Sequence, residues 1–167
     1  MFLLKELPEK KILKKFAKDS KDIDPTSALF TLQFLRTASD ALISIDKFFA
    51  SKGLSHGRFL ALMVLADTDE DGLFPFEIAD FMGVSRATAS GLIKGLESSG
   101  YVISKQSKTD GRMKKIILTN SGSEMINSLT PEYYGFISKF TGKTDKKTLK
   151  QSAVLLADIS DSISKID

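Results

Sequence analysis

The chain has 167 residues, 42% of them apolar, with 24 basic and 21 acidic side chains and a formal net charge of +3. That is enough apolar material to core a domain without staples, and the lack of cysteine excludes disulfides, thiolate metal sites and thiol switching. A single histidine, His56, leaves too little for an imidazole-rich zinc site, and no apolar run reaches the roughly 18 residues that span a bilayer. The apolar stretch in MFLLKELPEKK is too short for a signal peptide, so a cytoplasmic protein is expected.

The first 22 residues hold seven lysines and four acids, with Leu3, Leu4, Leu7, Ile12, Leu13 and Phe16 spaced as an amphipathic helix interrupted near Pro8. This arm is expected to dock through its apolar stripe and to keep its lysines in solvent. A long helix is predicted from Pro25 to Ser51, capped by Asp24 and ended by Gly53. Its apolar stripe, from Leu29 to Phe49, is wider than one neighbouring helix would cover, which suits a helix shared with a dimer interface. Ser55 caps the next helix, which stops at the acidic loop DTDEDG. A short helix after Pro75 leads through Gly83 into another that begins at Ser85 and ends at Gly100, giving a helix-turn-helix candidate. YVISKQ, the loop SKTDGR and MKKIILT then read as a β-hairpin with its turn at Asp110-Gly111. Helical periodicity resumes after Thr119, is expected to kink or break at Pro131, and ends with a helix for which Thr144 is a candidate cap. The expected class is mainly α with a small β-hairpin. A winged helix-turn-helix at 53–120 lies between N-terminal (1–52) and C-terminal (121–167) dimerisation helices.

The basic residues concentrate where contact with a polyanion is plausible on this plan. From Val84 to Thr119 seven basic residues face two acidic ones, a net of +5. On the helix after Ser85, one side carries Ala89, Leu92, Ile93 and Leu96. The other carries Ala87, Ser90, Gly91, Lys94, Gly95 and Ser98. Small hydroxyl-bearing residues and a lysine suit the major groove, Ser85 leaves free N–H groups for a phosphate, and Arg86 and Thr88 flank the face. Gly91 and Gly95 each disfavour a helix by roughly 1 kcal/mol relative to alanine, an expense that close approach by another molecule would explain. Lys105, Lys108, Arg112, Lys114 and Lys115 stud the hairpin for phosphate or minor-groove contact, with Asp110 placed to orient Arg112.

These residues resemble the MarR family of bacterial and archaeal winged-helix regulators. The likeness runs from GLSHGRFLALMVLAD through LFPFEIADFMGVSRATASGLIKGLESSGYV to DGRMKKIILTNSG, roughly Gly53 to Gly122. The resemblance implies a homodimer held by terminal helices, with two winged domains reading halves of a pseudo-palindromic site on double-stranded DNA. It places the family's wing Asp and Arg on Asp110 and Arg112, and its groove-facing positions on Arg86, Ala87, Thr88, Ser90, Gly91 and Lys94. Many members carry a larger polar or basic side chain where Gly91 stands, which shifts recognition toward the wing and DNA shape. The resemblance also implies a small aromatic or phenolic effector in a cleft between dimer helices and winged domain. His56 and Arg58 are candidates to line it, although a helix-terminal histidine in solvent is the favoured reading of His56.

Three other readings have some footing in the residues. Asp67, Asp69 and Asp71 with Gly72 match the first half of an EF-hand loop, but the closing glutamate position is Ile78, Glu77 arrives one residue early and Pro75 occupies position 9. A phosphate-cradling glycine loop and a nucleophile elbow are both absent, and one histidine without cysteine leaves little acid-base or nucleophilic chemistry, so neither an enzyme nor a cofactor is expected. A winged-helix protein-interaction module without DNA binding is disfavoured by the basic segment.

Overall fold

The computed structural model describes residues 7–19, 24–68, 72–107 and 113–166. The elements are α1 (Lys10–Asp19), α2 (Pro25–Ala50), α3 (His56–Ala66), α4 (Pro75–Met82), α5 (Arg86–Ser98), β1 (Val102–Gln106), β2 (Lys114–Leu118), α6 (Asn120–Ser138), a 3-10 turn (Lys139–Thr141) and α7 (Lys146–Ile163). They divide into two compact units, Met1–Leu60 and Ala61–Asp167. No helix among the described residues is long and apolar enough to cross a membrane.

In the first unit α1 begins just beyond Pro8 and packs on α2. Leu13 and Ala17 are half-buried, while Ile12 and Phe16 stay exposed, so the arm docks through only part of its apolar stripe. The Asp24 carboxylate accepts from the N–H groups of Thr26 and Ser27, both at 3.0 Å, and Pro25 occupies the first helical position. α2 ends at Ala50, where Gly53 adopts φ +70° and the Leu54 N–H closes onto the Phe49 carbonyl at 3.1 Å. Phe49 is fully buried. Its ring lies 4.6 Å from that of Phe59 and 5.2 Å from the imidazole of His56, which stacks nearly parallel to it. His56 is therefore a half-buried packing residue rather than the solvent-facing one expected, and burial pushes its pKa below the usual histidine value against the opposing pull of Asp46.

In the second unit Gly83, in the left-handed region at φ +63°, turns α4 into α5. The core gathers one residue set from each element between α3 and α6: Leu62 and Leu65, Ile78, Ala89, Ile93 and Leu96, Val102, Ile116, Ile126 and Leu129 are all buried. β1 and β2 pair antiparallel from Val102↔Leu118 to Gln106↔Lys114. Leu73 adds an isolated bridge to Ile116 through bonds of 3.1 and 2.7 Å.

Two helix readings need correction. α6 runs through Pro131 without a break; that ring removes only the N–H that would reach the Asn127 carbonyl, and the flanking turns hold the helix. α7 is capped by Asp145, not Thr144: its carboxylate accepts from Lys147 and Thr148 N–H at 2.9 and 3.0 Å, and these bonds lower its pKa, the Thr148 hydroxyl most of all.

Candidate nucleic-acid interface

α5 is positioned by its two ends. At its start the Ser85 hydroxyl accepts from the Thr88 N–H at 3.1 Å and lies 2.8 Å from the Thr88 hydroxyl, so both side chains are engaged in the cap. The N–H groups of Arg86 and Ala87 precede the first intrahelical donor, the Ala89 N–H bonded to the Ser85 carbonyl at 3.0 Å, and point out of the helix end. At its finish Gly100 adopts φ +73° and the Tyr101 N–H bonds the Leu96 carbonyl at 3.0 Å. Between these ends Ala89, Ile93 and Leu96 are buried, whereas Arg86, Ala87, Thr88, Ser90, Gly91 and Lys94 are exposed. The expected split of the helix holds, except that Leu92 is half-buried rather than fully inward and Gly95 half-buried rather than fully outward.

The glycine at 91 answers to nothing inside the fold. A Cβ built there meets no atom within 4 Å, so alanine or a larger residue fits the free chain. Gly91 and its neighbours leave a low, side-chain-poor strip along the exposed side of α5.

The hairpin supplies the basic residues. Lys105 and Lys114 are exposed on adjoining positions of the two strands, and Lys115, opposite Lys105, places its ammonium 5.4 Å from the centroid of the Phe74 ring. Lys108, Asp110 and Arg112 lie outside the described residues, as do Asp69 and Asp71 of the acidic loop. The Ser104 hydroxyl is hydrogen-bonded to the Glu97 carboxylate, tying β1 to the end of α5. Arg86, from the helix start, and Lys114, from the hairpin base, line one hollow of about 330 Å³ together with Pro75, Phe76 and Met113. Sequence reasoning missed Phe76 and Met113 there. The only available signal was the aromatic pair flanking Pro75, whose rings stack at 5.6 Å.

Exposed lysines on the hairpin strands beside a shallow, exposed helix started by free N–H groups make an arrangement for holding a polyanion. The profile of the MarR family matches residues 52–113, the segment that carries it. The HTH-type transcriptional repressor YetL of Bacillus subtilis is 29% identical over 161 residues, 96% of each chain. By this match and this relative the chain is similar to the MarR family of DNA-binding transcriptional regulators.

Solved structures agree on the fold. Sco3205, a MarR family regulator from Streptomyces coelicolor in complex with DNA, superposes with a TM-score of 0.75 at 18% identity, covering 84% of this chain and 89% of that one. The S. aureus MepR-DNA complex gives 0.71 at 20% identity over 80% and 97%. On this fold the helix-turn-helix is α4 and α5, and the wing is the β1–β2 hairpin.

Proposed function

We propose that the chain is a sequence-specific, effector-responsive repressor that works in the cytoplasm and binds a pseudo-palindromic operator on double-stranded DNA as a homodimer. The observation that carries this reading is the exposed, glycine-bearing strip of α5 set beside the lysines of the hairpin. Segment 53–120 grips the duplex, with Ser85, Arg86, Ala87, Thr88, Ser90, Gly91 and Lys94 along the major groove, and Lys105, Lys108, Asp110, Arg112 and Lys114 on the wing. Segments 1–52 and 121–167 hold the dimer. Support for this comes from apolar side chains left exposed in the single chain, Phe30, Leu42 and Ile43 on α2 and Val154, Leu155 and Ile163 on α7. The effector seats in a groove of about 670 Å³ between the C-terminal half of α3 and α6, a volume within the range of small-molecule sites. Neither His56 nor Arg58 is among its lining residues.

Selection of preferred duplexes from random DNA tests the reading directly. A two-fold symmetric site is the expected result, and binding that ignores salt concentration would favour a protein-interaction module instead. On the selected site, Arg112→Ala is expected to weaken all duplexes alike and to lower the salt slope by about 1, as for loss of one phosphate contact. Lys94→Ala is expected to change the order of preference among duplexes with single base-pair changes. A uniform loss across that panel would assign Lys94 to phosphate rather than base contact.

A further inference from the structure

The resemblance to the family leads one to expect an anionic phenol as effector, but the groove between α3 and α6 has the opposite chemistry. Its walls are apolar, formed by Met63, Val64, Ile126 and Pro131, and among the described residues that line it none is basic. Among the described lining residues the one charged group is the carboxylate of Asp67, which stands exposed immediately after the last residue of α3. A helix C-terminus carries the negative end of the helix dipole, so backbone and side chain favour the same sign of ligand there. On the opposite wall, Asn127 and Pro131 stand four residues apart on one face of α6. Proline has no N–H, so the Asn127 carbonyl loses its usual helical donor and keeps acceptor capacity beside the groove. The Thr130 hydroxyl donates to the Met63 sulfur at 3.5 Å, which leaves its oxygen as a further acceptor. The groove thus joins an apolar trough to a surplus of hydrogen-bond acceptors with a negative charge at one end. An anionic phenol would meet Asp67 with like charge and find no cation to replace its lost hydration.

We infer that this groove binds a lipophilic organic cation, an aromatic ring system carrying a protonated amine. The ring system lies along Met63, Val64, Ile126 and Pro131, while the ammonium donates to Asp67 and to the free acceptors of α6. The inference rests on the effector reading of the same groove.

Three probes of matched size separate the possibilities: 1-naphthylmethylamine, 1-naphthylmethanol and 1-naphthoate, titrated calorimetrically against the full chain. The amine is expected to bind tightest and the carboxylate weakest. Asp67→Asn should weaken the amine about three- to fivefold, the effect of losing one exposed ion pair, and leave the alcohol unchanged. Asn127→Trp, at an exposed α6 position on the groove wall, should reduce binding of all three. Equal or tighter binding of 1-naphthoate would overturn the inference, as would no binding of the amine or an amine affinity indifferent to both substitutions. Release of a bound duplex is a separate readout. An amine that binds as described yet leaves the duplex in place would keep the cation site and remove its role as effector site.

Discussion

Gly122→Ala is expected to destabilise the chain by about 3 kcal/mol, although alanine is the better helix former. Gly122 lies buried in the first turn of α6, and a Cβ there would overlap the Tyr101 carbonyl oxygen and lie 3.0 Å from Leu118 Cδ2. That carbonyl is fixed because it accepts from the Thr119 N–H at 3.0 Å. The Thr119 hydroxyl in turn donates to the Gly100 carbonyl at 2.7 Å and accepts from the Gly122 N–H at 3.1 Å. Helix α6 therefore starts on a cap that also locks the end of α5 to the exit of the hairpin. Relief of the overlap must move one of these, and the cost falls on backbone rather than on a flexible side chain. Urea unfolding at fixed protein concentration measures it, with Ser121→Ala, at an exposed position of the same turn, as a reference expected within about 0.5 kcal/mol of the parent. A stability gain in Gly122→Ala would show that the wing exit shifts freely, and that the cap is not what orients the wing.

The same junction shows what the sequence discloses and what it does not. Gly100-Tyr101-Val102 and Leu118-Thr119-x-x-Gly122 stand out as motifs because each carries local turn or cap chemistry. That they bond to each other across nineteen residues is tertiary and invisible to periodicity. Helix starts at Asp24, Ser55 and Ser85 were legible because a short side chain bonding the backbone two or three residues ahead is a local event. The cap of α7 went to Asp145 over Thr144 by one position, a contest between neighbours that composition does not settle. Pro131 suggests a kink or a break because a proline interior to a helix removes a bond; the helix continues because the turns on either side, with Ile126 and Leu129 buried, outweigh that loss. His56 departs from the solvent-facing expectation because the burial of an aromatic-rich corner by Phe49 and Phe59 depends on how the chain turns at Gly53. In the candidate interface, the outward face of α5 followed from a 3.6-residue period, whereas the meeting of Arg86 and Lys114 around one hollow required the hairpin to fold back beside the helix start.

The second large effect is expected at Gly91, and here the free chain and the complex should respond in opposite directions. Gly91→Glu puts its Cβ where no atom outside the backbone of its own helix lies within 4 Å, at an exposed position, so the fold accepts it, and glutamate is a better helix former than glycine by roughly 0.5–1 kcal/mol. Thermal unfolding should therefore show a variant at least as stable as the parent. Against the duplex the same side chain would occupy the low strip between Ala87 and Lys94 and present a carboxylate to phosphates and base acceptors. Like charges brought together at an interface oppose binding by several kcal/mol, so affinity for the selected operator is expected to fall on the order of 100-fold. Gly91→Ala should share the stability gain and lose less affinity, because it adds bulk without charge. The pair separates sterics from electrostatics in a way that removal of a lysine cannot, since truncating Lys94 subtracts attraction wherever that lysine points. If Gly91→Glu folds as expected and still binds the operator with parent affinity, α5 does not lie in the groove. The grip would then belong to the hairpin alone.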